Sequence, residues 1–444
     1  MRKSVTAFFI LVATLFALSP AHAANVAKYV AAQAINWHGT VIDVATVMPF
    51  YKRRFGNGIW TTNNGLSKRG QELIGVLSNA GSDGLEPREY LGGLPGDVNA
   101  MRGDDLVAAE LYLSGAAIRF SRDLFAGRTT PSISEPDIVI ARKKLDYVAL
   151  LGSFDKNGVG KVVARLRPAH IQYVRLSKLL AGTKDAGLRQ KIIINMERWR
   201  WLPRNLGARH VLVNAAAYLM YTYDNGKIID RRKVIVGQQY HRTPMFSSNI
   251  TYAEFNPTWT VSRNIAGNEI LPKLRKNPNY LSRIGYEVHT SWENDAPVMN
   301  PASIDWNSVN AKKFPYRIVQ PAGPNNVLGR VKFLFPNKFN VYLHDTSSRQ
   351  LFDKSSRALS HGCIRVDKPL EFADLLFGFD HSLSPAQIRQ IADSGKTTQA
   401  KFRTPIPVHL GYFTLWVEDD GKVSNYKDIY GRDKLIAGIL FGGA

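Results

Sequence analysis

A change of texture near Gln190 constrains this chain more than any other feature. Before it, apolar residues recur at three- and four-residue intervals. After it, they alternate in short runs broken by turn residues. The first spacing buries one stripe of a helix and the second one face of a sheet, so their succession predicts an α+β protein with a helical part followed by a β-rich part. In "HVLVNAAAYLMYTYDNGKIIDRRKVIVG" the pattern is strand, turn, strand, and Asp224-Asn225-Gly226 predicts a tight hairpin. "VKFLFPNKFNVYLHD" predicts two strands around Pro336-Asn337, and "PVHLGYFTLWVEDDGKVSNY" a further hairpin at Asp419-Asp420-Gly421. Between them "SRNIAGNEILPKLRKNPNYLSRIG" is helical and interrupts the strands. With the polar stretch that follows it predicts an inserted subdomain over 262–317. Two later helices carry start signals, Asp367 as cap with Pro369 in the first turn, and Ser384 with Pro385.

The helical part is expected over 24–188 and the β-rich part over 189–444. Ser67 reads as the cap of a helix that Gly81 stops, Asp104 and Asp105 open a long helix ending before Gly127, and "RPAHIQYVRLSKLLAG" gives another. His38 and His170 stand alone there, and Trp60 and Tyr90 read as packing residues. Residues 1–23 have the form of a secretory signal peptide: Arg2 and Lys3, an apolar run from Val5 to Leu18, then Ala21-His22-Ala23. The apolar run is short for a membrane span, and no other stretch reaches spanning length, so export to the periplasm without a transmembrane span in the mature chain is expected.

Formal charge is +22, and removing Arg2 and Lys3 would leave +20. Such a balance favours polyanions. Export argues against nucleic acid and for anionic lipid or a carboxylate-rich wall polymer.

One cysteine occurs in 444 residues, Cys363, within "LSHGCIRV". Alone it cannot form an intramolecular disulfide, and an exported free thiol is exposed to oxidation, so its retention points to a use. The thiolate is the nucleophile, and a nearby base or cation raises its fraction. His361 precedes Cys363 by two residues. His344 lies in "VYLHDT", where strand alternation puts it on one face with Tyr342, opposite Val341 and Leu343. A neighbouring strand carrying Cys363 would bring the thiol and His344 together. Gly362 permits a tight turn whose amides can face a developing oxyanion, and Ser360 belongs to the same turn. Arg365 has two open roles: acting on the thiol or a substrate carboxylate, or pairing with a structural carboxylate. Zinc held by Cys363, His361 and His344 is disfavoured, since structural zinc sites usually use paired cysteines.

"SHGCIRV" preceded by "VYLHDT" resembles the active-site signature of the L,D-transpeptidases, the YkuD-type catalytic domain. "NMERWRWLP", "RTPMFS", "FNPTW", "LGRVKFLFPN" and "DIYGRD", with "FYKRRFGNGIW" and "GLEPREY" near the start, resemble the larger, YcbB-like branch with its helical scaffold domain. The segment from "YVRLSKLLAG" to "NMERWRW" leaves no room for the peptidoglycan-binding domain that branch often carries.

The resemblance implies a helical scaffold domain, a β-rich catalytic domain, and a capping role for 262–317. Cys363 would attack the amide after the third stem-peptide residue and release the terminal D-alanine. His344 would be the base, oriented by a backbone carbonyl such as that of Asp345. His361 and Arg365 would shape the acceptor side, Ser360 and Gly362 would support the loop and oxyanion, and Tyr342 would line the donor pocket. No metal or organic cofactor is implied. The partners are peptidoglycan stem peptides, which a transpeptidase would join through 3→3 crosslinks. Attachment of an outer-membrane protein, hydrolysis by a carboxypeptidase or amidase, and a non-catalytic wall-binding scaffold are the competing readings.

Overall fold

The computed structural model describes residues 26–130 and 135–442, so the signal-peptide expectation over 1–23 lies outside the described residues. The chain divides into two compact units. The first runs to Arg128 and takes in Lys143–Pro168; the second comprises Thr129–Arg142 and Ala169–Ala444. Compactness thus draws the line differently from texture. The helix Ile171–Gly182 and the segment after Arg128 pack with the β-rich part, where Val139 N–H donates to the Met245 carbonyl and Met245 N–H to that of Asp137.

The first unit is built round the helix Asp104–Ala126, apolar on nearly all sides and therefore central. Glu110 lies buried in that helix. Its carboxylate accepts from the Tyr51 hydroxyl, the amides of Ile59, Trp60 and Thr61, and the Thr61 hydroxyl, which satisfies a group that burial would otherwise penalise. Trp60 and Tyr90 are buried in this core. Ser67 caps the helix Lys68–Ser78 by accepting from Gly70 N–H. The helix stops at Ser78, with Asn79 as its C-cap and not the expected Gly81; a 3-10 turn over Ala80–Asp83 follows and ends at Gly84, the glycine that adopts the left-handed conformation.

The main sheet of the second unit has nine strands among the described residues: β1 (Arg209–Asn214), β2 (Leu219–Asp224), β3 (Lys227–Gly237), β4 (Phe246–Phe255), β5 (Val331–Leu334), β6 (Leu343–His344), β7 (Ala358–Ser360), β8 (Ile364–Val366) and β9 (Thr398–Gly411). They run in the order β7-β3-β8-β6-β5-β4-β9-β1-β2. Pairing of β2 with β3 closes eight of them into a barrel and leaves β7 on its flank. Asn225 and Gly226 take positive φ between the paired Asp224 and Lys227, as the hairpin required. Val211, Val234, Phe255, Phe333, Leu343 and Ile364 belong to one fully buried core.

Three local features matter for the site. The strand read from "NVYLHD" narrows to Leu343–His344, which pairs antiparallel with β5 and parallel with β8. Asp367 is not the cap of the helix Pro369–Gly378. Its N–H still extends the sheet by donating to the Lys233 carbonyl, and the helix starts from Lys368, in a left-handed conformation. Residues 262–317 form a body with its own core round Leu274, Trp306 and Phe314, tied by a four-stranded sheet that includes Trp259–Thr260 and Arg317–Gln320. Among the described residues no helix is long and apolar enough to cross a membrane.

Candidate active site

Parallel pairing of β6 with β8 sets Leu343 against Ile364 and His344 against Arg365, and Ile364 N–H donates to the Tyr342 carbonyl. Leu343 and Ile364 are buried in the core. Alternation then turns Tyr342 and His344 from one strand, and Cys363 and Arg365 from the other, to the opposite face. Four chemically competent side chains form a square: Tyr342 beside Cys363, His344 beside Arg365, and His344 diagonal to the thiol.

His344 is buried, and its Nδ1 lies 2.5 Å from the Asp345 carbonyl oxygen. A carbonyl can only accept, so Nδ1 carries the proton and Nε2 keeps its lone pair. Burial, then the cations of Arg365 and Lys332, push the imidazole down to about 3, against the opposing pull of that carbonyl. His344 is therefore neutral at physiological pH. The Asp345 carboxylate is fixed below, accepting from Arg330 N–H at 2.8 Å and from Arg349 at 3.2 Å.

Cys363 is half-buried, and its Sγ lies 3.7 Å from the Asn340 carbonyl oxygen. Loss of water pushes the thiol up to about 11, opposed by hydrogen bonds to Tyr342 and by the Arg365 charge. The resting site holds a thiol and a neutral imidazole rather than an ion pair. Tyr342 shares a side-chain hydrogen bond with Cys363, and its ring meets His344 edge-on at 5.5 Å. With Asn340, Tyr252 and Leu334 it lines a groove of about 330 Å³. Arg365 has no carboxylate partner among the described residues, and its buried Nε has no hydrogen-bond partner.

The turn before Cys363 is pinned by the Ser360 hydroxyl, which accepts from Gly362 N–H at 3.1 Å and donates to the Cys363 carbonyl at 2.5 Å. Gly362 has φ +112, a conformation that disfavours any side chain. Its amide is engaged with Ser360, so its geometry supplies loop support and not a free oxyanion donor. His361 points elsewhere: its Nε2 lies 2.7 Å from Glu269 Oε1 of the inserted body. The three residues weighed as zinc ligands do not converge, and among the described residues no group of three or more His, Cys, Asp or Glu could hold a metal ion.

Sequence reasoning missed two residues. Thr243, buried under the turn, donates to the Gly362 carbonyl and accepts from Gly237 N–H, both at 2.9 Å, and its own N–H meets the Tyr430 hydroxyl. The signal lay in "RTPMFS", whose threonine only tertiary structure brings to the loop. Lys332 pairs across the strands with His344, and is held at 2.7 Å by Glu254 on β4. A charged residue in the apolar run "VKFLF" was its signal.

Residues 208–378 match the YkuD L,D-transpeptidase catalytic domain, and residues 45–180 match the Scaffold domain. The chain carries a YkuD L,D-transpeptidase catalytic domain and a Scaffold domain. A curated Haemophilus influenzae protein, provisionally named an L,D-transpeptidase, is 36% identical over 261 residues, covering 59% of this chain and 52% of its own length. The chain thus spans about half the length of the curated relative it matches. Solved structures of an Enterococcus faecium L,D-transpeptidase mutant and of an L,D-transpeptidase from Mycobacterium smegmatis are each 12% identical over 46% of this chain. They are covered over 50% and 58%, with TM-scores of 0.22 and 0.21, a likeness that bears no weight here. The YkuD match includes the whole square and the inserted body, and it stops before β9, which the barrel nonetheless needs between β4 and β1.

Proposed function

We propose that this chain is a peptidoglycan L,D-transpeptidase working in the periplasm. One observation carries the reading: a neutral His344, oriented through Nδ1 by a backbone carbonyl, presents its basic Nε2 on the same face as the chain's only thiol.

In this reading the donor stem lies along the groove beside Tyr342, and Arg365, which has no carboxylate partner among the described residues, meets a carboxylate of the stem. Cys363 attacks the carbonyl of the third stem residue, in the amide that joins it to D-alanine, and His344 takes the thiol proton as the C–S bond forms. His344 then gives that proton to the departing nitrogen, and D-alanine leaves. The thioester is opened by an acceptor amine: a C–N bond forms, the C–S bond breaks, and the thiol is restored. A neutral resting pair suits this order, because the proton moves only when substrate is present. An amine on a second stem peptide gives the 3→3 crosslink.

The test is incubation of the purified protein with tetrapeptide-bearing muropeptides, with products read by mass spectrometry. Free D-alanine together with a 3→3 dimer is expected. D-alanine without dimer would replace the transferase by a hydrolase, and neither product would overturn the reading. Cys363→Ala should remove both products and keep the fold.

A further inference from the structure

The inserted body sends one carboxylate to the turn that carries the nucleophile. Glu269 sits on a single π-helical turn, Ala266–Ile270, wedged between the short helices Arg263–Ile265 and Leu271–Lys276. Such turns are uncommon and are frequent at functional sites. This one is held in place from two sides. Ser262 caps the helix that leads into it, accepting from Ile265 N–H through its side chain and from Ala266 N–H through its carbonyl. Gly267 is pressed so close to the neighbouring chain that an added Cβ would lie 2.1 Å from the Ala311 carbonyl oxygen. The position of Glu269 is therefore built rather than incidental.

Its carboxylate lies 2.7 Å from His361 Nε2, and the His241 ring stands 4.8 Å from that of His361. Both partners remain open to solvent, 45% for Glu269 and 37% for His361. His361 is its sole partner at ion-pair distance among the described residues. A structural ion pair at a solvent-open position adds little stability, so stability alone does not explain the arrangement.

An acceptor amine of the lysine kind is protonated near neutral pH. The square on β6 and β8 offers it one cation, Arg365, and the neighbouring strand β5 a second, Lys332. Of the carboxylates nearby, Glu254 is occupied by Lys332 and Gln399, and Asp345 is buried against Arg330 N–H and Arg349. Glu269, held among the described residues by His361 alone, stands beside the turn that ends in Cys363.

We propose that Glu269, paired with His361, is the recognition site for the protonated acceptor amine; this rests on the acyl-transfer reading above. The ammonium binds the carboxylate and gives one proton to the Glu269–His361 pair, which passes it to solvent. The free amine then attacks the thioester carbonyl. As the C–N bond forms, the nitrogen's second proton goes to His344, the C–S bond breaks, and His344 returns that proton to the sulfur. The sum is thioester plus ammonium giving amide, thiol and one released proton.

The experiment compares the unaltered protein with Glu269→Gln and Glu269→Asp, using a tetrapeptide muropeptide as donor and as acceptor. The readout is the fraction of acyl-enzyme resolved by amine rather than by water, that is, dimer formed per D-alanine released, as acceptor concentration is varied. Glu269→Gln should raise the acceptor KM and lower that fraction about tenfold, the scale of losing one hydrogen bond to a charged group. Glu269→Asp should recover part of it. Methoxyamine, already unprotonated at neutral pH, should show little difference between the proteins. An unchanged dimer fraction in Glu269→Gln, or equal losses with muropeptide and methoxyamine, would overturn the proposal. Absence of D-alanine release by the unaltered protein would instead refute the acyl-transfer reading itself.

Discussion

His344 and Arg365 face each other across the parallel strands β6 and β8, and the guanidinium helps keep the imidazole uncharged. Burial is the larger cause. Replacing the cation in Arg365→Met should therefore move the protonation of His344 upward while leaving it below its ordinary value of about 6.5. The acid limb of the pH–rate profile for D-alanine release should shift to higher pH in the variant. A profile with an unshifted acid limb would show that Arg365 does not act on His344.

Cys363 is a thiol pushed up to about 11. Alkylation by iodoacetamide should accelerate with pH throughout the neutral range, without the plateau that a preformed thiolate–imidazolium pair produces at low pH. An apparent pKa below about 7 from the alkylation profile would contradict the neutral resting pair. Exposure to a carbapenem should leave a single adduct, on Cys363, that Cys363→Ala lacks.

Acid should destabilise the second unit. Burial holds His344 and His170 down to about 3 and His409 to about 4. The unfolded chain takes up protons near pH 6.5 while the folded one does not, so stability present above pH 6.5 is lost as pH falls toward 4. His344 alone would contribute on the order of 3 kcal/mol to that loss by pH 4. Urea denaturation at pH 7 and pH 4 measures it, and His344→Gln should flatten the dependence. Equal stabilities at the two pH values would refute the neutral buried histidines.

Thr243→Val keeps the shape of the side chain and removes the hydroxyl between Gly362 and Gly237. Two buried backbone groups lose a partner, which costs about 1–3 kcal/mol. The thermal midpoint should fall, and D-alanine release should fall further than the fraction unfolded explains, because the freed carbonyl belongs to the turn before Cys363. Release that merely tracks the folded fraction would limit Thr243 to a structural role.

Much of this was readable in the chain because it rests on short-range rules. Asn225-Gly226 meets the φ demands of a hairpin, Ser384 and Gln387 cap a helix reciprocally, and period-two spacing puts Tyr342 and His344 on one face. The motif around Cys363 drew attention to the turn for the same local reason. What escaped depends on partners distant in sequence. Glu269 precedes His361 by 92 positions and Thr243 precedes Gly362 by 119, and nothing within either segment declares the other. Asp367 misled for a related reason: its side chain suits a helix start, but its N–H is claimed by Lys233 on β3, and the sheet outweighs the cap.

The oxygen that fixes the His344 tautomer belongs to the main chain at Asp345 and to no side chain. A codon change at 345 can alter what projects from that position without deleting the acceptor. Mutational drift can therefore reach the orientation of His344 only indirectly, by moving the backbone that Arg330 and Arg349 hold through the Asp345 carboxylate. In families that orient the histidine with an Asn or Asp side chain, one nucleotide can remove the orienting group; here that route to inactivation does not exist.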